Sequence, residues 1–582
     1  MATYALRQHI WTRMLNLPKA AYDVRVTQNE RVAMVDGITL ATDIYHPQTE
    51  EPQPTILIRT PYGRNGTFAF LEIFFAYRFA ERGYNVVLQD VRGRYESEGE
   101  FIPYASEACD GETTVNWIVE QAWSDGQVAL WGQSYLGYTQ WAVASTQSPH
   151  VKAMMPITTQ SHLGGQPEHG RLLDLPLRWL YLLDAFDNRA LSTYQRARRL
   201  MSSKIAEAAL AEAFETLPMS EADQAVLGSP VPFFREWVDN PDQDHPYWQP
   251  FDFRPIVPQV AIPTHHIGGW YDIFLDGTID DYEAQAAAGL DPYLTIGPWT
   301  HTDQSSRVEG LRFGLNLFDT YLKGKSGLLR EKKVRINVMG VDEWREYDVW
   351  PPEAETEPLY LRADGGLSDD APAFDEAPAT YTYDPNDPTP NVGGALLSKD
   401  AGPRDNQALE DRDDVLTFTT PTLEEAVEMI GKPSVTLYVQ SSADWTDFFG
   451  RITDVYPDGS SINVTDGIYS LTPERGERWE DGTIKITVNL SATAYRFQAG
   501  HQIRLQVSSG AHPRFGRNLG TGEPLNAAKE MLVAEQTLYH DAAHASHMML
   551  PIVEIVPADM GEALNSDLSL HRRDASPNWR GR

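Results

Sequence analysis

Cysteine is almost missing from this chain: the one thiol among 582 residues is Cys109, which excludes an intrachain disulfide framework and any thiolate-rich zinc or iron–sulfur cluster. Long apolar runs are missing as well. No segment approaches the roughly 20 consecutive apolar residues that a membrane-spanning helix needs, and residues 1–17, with Arg7 and Arg13 and no acid, lack the apolar core of a secretory signal. That stretch reads as a surface helix, and the expected location is the cytoplasm, with no membrane partner. Positive charge is also in short supply, since 48 Lys and Arg face 82 Asp and Glu for a net charge of −34. The resulting field repels phosphate backbones and anionic headgroups, which excludes nucleic acid as a partner.

What is present is the composition of a folded protein, 42% hydrophobic and 11% aromatic, long enough for two to four domains. Residues 23–46 read as a hairpin turning at Asp36-Gly37. Short buried runs then alternate with helical periodicity: Thr55–Ile58, Phe70–Arg82, Tyr84–Leu88, Glu107–Gln121, Val128–Trp131, a helix from Tyr135, and Val151–Ile157. Such βαβα order requires crossovers and a mostly parallel sheet covered on both faces. Between about Ser161 and Phe253 strand signals stop, and helical runs at Leu172–Ala185 and Tyr194–Phe214 predict an inserted cap. The sheet pattern resumes at Pro263–Ile267 and Pro292–Ile296, and a helix near Leu311–Leu322 is expected to close the domain. After Trp350-Pro351-Pro352 come turn-separated strand-like runs, Ser434–Val439, Ile484–Leu490, Gln502–Val507 and Met549–Val556 among them, which predict an antiparallel sandwich or jelly roll. The tail from Leu564 is expected to fray. The expected domains are therefore an α/β core over 1–160 and 254–352, a helical cap over 161–253, and a β domain over 353–582.

The strongest local signal is Trp131-Gly132-Gln133-Ser134-Tyr135-Leu136-Gly137, a serine flanked by glycines between a buried strand and a helix. A nucleophile elbow needs a sharp turn, small neighbours and a helix N-terminus whose amides face a developing oxyanion. Leu136 stands where G-x-S-x-G has its second glycine, which follows one residue later. In the α/β-hydrolase order an acid and a histidine come later, each at a strand end. Asp272 in Gly268-Gly269-Trp270-Tyr271-Asp272 and His301 in Gly297-Pro298-Trp299-Thr300-His301 fill those places. His540, His544 and His547 have the spacing of ligands on one helix face, but the run after them is strand-like and supplies no acidic ligand, so no metal is expected. His265 and His266 are neighbours in an apolar strand and point to opposite faces.

With Arg59-Thr60-Pro61-Tyr62-Gly63-Arg64, Gln89-Asp90-Val91-Arg92-Gly93-Arg94, and Val507-Ser508-Ser509 with Pro513-Arg514-Phe515, these motifs resemble those of the CocE-type acyl esterases and X-prolyl dipeptidyl aminopeptidases over nearly the whole length. The resemblance implies an α/β-hydrolase fold with a helical cap and a C-terminal jelly roll, and a triad of Ser134, Asp272 and His301. It also implies an oxyanion hole from the Tyr135 N–H and the Tyr62 hydroxyl, and an acyl pocket lined by Trp179, Phe274 and Trp299. The expected protein is a serine hydrolase that cleaves small-molecule carboxylic esters through an acyl-enzyme, without metal or organic cofactor. One alternative is an X-prolyl aminopeptidase or α-amino acid ester hydrolase, which needs an acid for the substrate ammonium. Another, of a different class, is a non-catalytic carbohydrate-binding or scaffold protein. The sequence leaves homo-oligomerisation open.

Overall fold

A computed structural model of the chain describes residues 10–65, 69–163, 172–188, 190–242 and 245–555, so the tail from Leu564 and most of the first stretch lie outside the described residues. Strands β1 (Val24–Ala33) and β2 (Thr39–Pro47) form an antiparallel hairpin, closed where the Gly37 N–H donates to the Met34 carbonyl. Then β3 (Gln53–Thr60), α1 (Phe70–Ala80), β4 (Asn85–Asp90), α2 (Glu107–Val119), β5 (Ser124–Gln133), α3 (Tyr135–Ala144) and β6 (Val151–Ile157) alternate. Val, Ile and Leu on β3 and β4 are wholly buried, because strands covered on both faces by helices need no polar side.

Between β6 and β7 the described residues form helices and no named strand: α4 (Asp174–Asp187), α5 (Thr193–Met201), α6 (Ser203–Glu215), α7 (Ala222–Leu227) and α8 (Pro232–Asp239). The helical run expected over Tyr194–Phe214 is two helices. Ser202 interrupts it with extended backbone at φ −110°, ψ 103°, and serine favours such a break by competing for backbone hydrogen bonds. β7 (His265–Tyr271), α9 (Leu275–Ala287), β8 (Tyr293–Thr300) and α10 (Ser305–Lys323) return to the sheet. Helix α10 does not close the domain: β9 (Val334–Val338) adds to β8 in parallel, and β10 (Glu343–Tyr347) adds antiparallel to β9. Both strands have five residues and carry charged side chains, so neither offers the apolar run that marks the others.

The ten strands stand in the order β1-β2-β4-β3-β5-β6-β7-β8-β9-β10, parallel from β4 to β9. The C-terminal ends of β5, β7 and β8 therefore open on one edge, where ligands of open α/β sheets bind. The region after residue 354 is built of antiparallel ladders in two sheets, one of them four-stranded and made of Leu416–Thr419, Gln502–Ser508, Thr446–Val455 and Ser461–Leu471. Val435 and Leu437 of one sheet share a core with Phe448, Ile452 and Leu505 of the other. The same core takes in Trp270, Tyr271, Leu275, Ile279 and Tyr282 from the β7–α9 unit. The β domain and the α/β layer are thus packed through a common apolar interior. No helix among the described residues is long and apolar enough to cross a membrane.

Candidate active site

Ser134 sits one residue past the end of β5 and is followed at once by α3. Its backbone has φ 59° and ψ −126°, a region that costs free energy for a residue with a β-carbon and persists only when the surroundings hold it. The hold is visible. The Ser134 N–H donates to the Ile157 carbonyl at 2.9 Å, and the Ser134 carbonyl accepts from the N–H groups of Gly137 and Tyr138 and from Thr159 Oγ1. A β-carbon on Gly132 would stand 2.4 Å from Leu136 Cβ, and one on Gly137 2.4 Å from Thr159 Cγ2. Glycine is therefore needed at 137, where α3 crosses the segment that follows β6, and position 136 carries the leucine. This accounts for the spelling of the elbow.

Asp272 follows the last residue of β7 and His301 the last residue of β8, so three parallel strands deliver the three side chains to one edge. His301 Nδ1 lies 2.8 Å from Asp272 Oδ2, and His301 Nε2 lies 3.0 Å from Ser134 Oγ. Ionised Asp272 can only accept, so Nδ1 carries the proton and Nε2 faces the serine hydroxyl with its lone pair. Asp272 also accepts from the Phe274 N–H at 2.7 Å, which fixes its rotamer. Gln133 donates to the His301 carbonyl at 2.8 Å and accepts from Arg307, which is ion-paired to Glu72. Sequence reasoning gave no role to Gln133, Arg307 or Thr159, because side chains that hold the backbone of another loop carry no spacing signature.

Tyr62 lies on the loop that follows β3, and its hydroxyl oxygen accepts the Trp179 indole N–H at 3.1 Å. That leaves the phenolic proton available to donate. Burial pushes the Tyr62 phenol above its ordinary range, so it stays protonated at neutral pH, although the Trp179 hydrogen bond works in the other direction. Tyr135 is the first residue of α3, and its N–H has no acceptor within that helix. Its ring stacks on Tyr104 with centroids 4.4 Å apart, and Trp179 stacks beyond. Both tyrosines thus belong to one aromatic cluster with the α4 tryptophan.

Phe274 meets the His301 imidazole edge-on, with centroids 5.3 Å apart. Trp299 is buried, lies over Gly297 and tilts against Trp344. Three acids that could hold a substrate ammonium have partners of their own: Asp276 accepts from Ser491 Oγ, Asp184 pairs with Arg199, and Asp187 lies 3.6 Å from Arg94. One further carboxylate is at hand. Glu107, the first residue of α2, is buried, accepts the Tyr135 hydroxyl at 2.7 Å and pairs with Arg59 at 2.5 Å. Nothing in its sequence context distinguishes it from an ordinary acid in the first turn of a helix.

The histidines outside this edge occupy different places. His265 contacts Thr295 and His266 contacts Gln285, on different neighbouring elements. His540 is buried beside Phe418, His544 lies between Asp541 and Asp481, and His547 starts a strand against Tyr360.

Two family models match the chain. Residues 36–303 match the family model of the X-Pro dipeptidyl-peptidase (S15 family), and residues 326–548 match the X-Pro dipeptidyl-peptidase C-terminal non-catalytic domain. The cocaine esterase of Rhodococcus sp. is 35% identical over 570 residues, covering 91% of this chain and 99% of that protein. An aminopeptidase from a marine sediment archaeon (Thaumarchaeota archaeon) superposes with a TM-score of 0.77 at 24% identity, covering 92% of this chain and 98% of that one. An α-amino acid ester hydrolase does so with a TM-score of 0.77 at 23% identity and the same coverage. The two structures establish the shared fold.

Proposed function

Since the chain belongs to the X-Pro dipeptidyl-peptidase (S15) family, with the cocaine esterase among its relatives, and is a serine hydrolase acting on carboxylic esters, we propose that Ser134 is its nucleophile. The observation that carries this reading is the hydrogen-bonded chain from Asp272 through His301 to Ser134. His301 Nε2 takes the Ser134 proton as Oγ attacks the ester carbonyl carbon, and Asp272 stabilises the imidazolium that results. The carbonyl π electrons move to oxygen, and the oxyanion accepts from the Tyr62 hydroxyl and the Tyr135 N–H. Collapse of the tetrahedral intermediate expels the alcohol, which leaves with the His301 proton. Water then repeats the sequence on the acyl-enzyme and releases the acid.

Domain roles follow from the same reading. The core comprises 1–160 and 254–352, residues 161–253 are the cap, and the facing sheets after 353 are a jelly roll. We assign Phe274, Trp179 and Trp299 to the acyl side of the cleft. The test is labelling with a fluorophosphonate probe alongside a panel of acyl esters. Wild type is expected to be labelled, and Ser134→Ala to be unlabelled, folded and slowed by several orders of magnitude. A Ser134→Ala protein that keeps more than about a tenth of the activity overturns the assignment.

A further inference from the structure

The two proposed oxyanion donors come from separate elements. Tyr62 is on the loop after β3, and Tyr135 opens α3. Their relative placement must be held to within a fraction of an ångström for both to reach one oxygen atom. A single buried side chain from a third element spans the two. Glu107 Oε1 accepts the Tyr135 hydroxyl at 2.7 Å, and Glu107 Oε2 accepts from Arg59 Nη1 at 2.5 Å. Arg59 is the penultimate residue of β3, three positions before Tyr62, and its Nη1 also donates to the Glu107 carbonyl at 2.9 Å while its Nε donates to Gln89. Between Arg59 and Tyr62, Thr60 Oγ1 accepts the Tyr62 N–H at 3.1 Å.

We infer that Glu107 is a positioning residue of the oxyanion hole, tying the Tyr62 loop to the Tyr135 turn through its two carboxylate oxygens. The inference rests on the reading of Tyr62 and Tyr135 given above. The Tyr135 ring is held at its hydroxyl and on one face. Its hydroxyl donates to Glu107 and accepts the Tyr104 N–H at 3.0 Å, and its face is stacked on Tyr104. A tyrosine fixed in this way cannot rotate its side chain, so the peptide that carries its N–H is fixed with it. Glu107 does not touch the reacting atoms, and the geometry it maintains matters only when negative charge has developed on the carbonyl oxygen. Its loss should therefore act on kcat and leave ground-state binding alone.

The experiment compares Tyr135→Phe, Glu107→Gln and the double variant with wild type in the full chain, on an uncharged aryl ester. It adds inhibition by phenylboronic acid, whose adduct with the serine hydroxyl places an oxygen where the oxyanion forms. Each single variant is expected to lower kcat roughly tenfold, less than removal of a whole donor, with KM within about twofold and the boronate Ki raised in step with kcat. The double variant should be no worse than the poorer single, because both remove one link. A kcat within about twofold of wild type in the singles, a change confined to KM, or independent multiplication in the double overturns the inference. If Glu107→Gln does not fold, Tyr135→Phe, which leaves the Glu107–Arg59 pair intact, decides alone. Tyr62→Phe separates the two levels. Its expected loss is roughly 10²- to 10³-fold in kcat; wild-type activity there removes the oxyanion reading itself, whereas an impaired Tyr62→Phe beside a normal Tyr135→Phe removes only the role of Glu107.

Discussion

Gly137 and Thr159 are packed backbone against side chain, so closely that a β-carbon at 137 would lie 2.4 Å from Thr159 Cγ2, 2.6 Å from its Cβ and 2.9 Å from its Oγ1. Thr159 in turn donates to the Ser134 carbonyl at 2.9 Å, so the contact couples the helix spacing to the backbone of the proposed nucleophile. Gly137→Ala is expected to cost about 1–3 kcal/mol through overpacking. It should also reduce kcat, since Thr159 cannot retreat and keep its hydrogen bond. Thermal unfolding and steady-state kinetics check this; a variant with unchanged Tm and kcat shows that the segment after β6 yields freely.

Acid sensitivity follows from His266. Burial lowers its pKa from 6.5 to about 4, although the Gln285 side chain works the other way. The unfolded chain therefore binds a proton that the folded chain refuses between about pH 6.5 and 4, and stability falls as pH drops through that window. At pH 5 the penalty at this one site is about 2 kcal/mol. His266→Gln removes it, so the stability gap between the variant and wild type should shift in the variant's favour by that amount between pH 7.5 and pH 5. Parallel urea melts at the two pH values measure the shift, and a gap independent of pH contradicts the assignment.

The parts of the molecule legible in the sequence are those whose physics is local. The Val151–Ile157 run is a strand with the same bounds, because a parallel strand covered on both faces is apolar along most of its length, here broken only by the exposed Lys152 near its start. Ser134, Asp272 and His301 were identifiable because each stands just past an apolar run in the order one sheet edge requires. Glu107 was not, since its meaning lies in contacts with Arg59 and Tyr135, 48 and 28 residues away. Strands β9 and β10 escaped notice for the opposite reason: they are short and charged at the sheet margin, so their partners and not their patterns make them strands.

The β domain should be indispensable to the core. Trp270, Tyr271, Leu275, Ile279 and Tyr282 are buried in the interior they share with it, and the Tyr271 hydroxyl donates to the Asn463 carbonyl at 3.0 Å. Five such side chains contribute roughly 10 kcal/mol when fully buried, comparable to the whole stability of a domain. Asp272 follows Tyr271 directly, so exposure of this surface also frees the acid that orients His301. A chain ending near Pro352 is expected to aggregate or to be inactive. A monodisperse truncation with full kcat/KM contradicts this.

Selectivity between uncharged and α-amino esters tests the electrostatics of the cleft. An ammonium beside the scissile carbonyl must be desolvated, and that demands a counter-charge. Asp272 is followed by Ile273, Phe274 and Leu275, which present no acid. Asp276 is turned to the β domain through Ser491 and the Ala492 N–H, and Asp184 and Asp187 face Arg199 and Arg94. Glu107 reaches the site through Tyr135, but both of its oxygens are engaged, one by a hydroxyl and one by the Arg59 guanidinium. Recruiting it would break its ion pair with Arg59, which is itself buried, and breaking a buried pair costs more than an exposed ammonium gains. A benzoyl or phenylacetyl ester should therefore exceed the matched phenylglycine ester in kcat/KM by roughly 10²-fold while the amine is protonated. The ratio should shrink as rising pH neutralises the amine, because only the charged form carries the penalty. Equal or faster turnover of the protonated amino ester would mean that one of these acids leaves its partner to meet the substrate, and would move the specificity toward aminopeptidase chemistry.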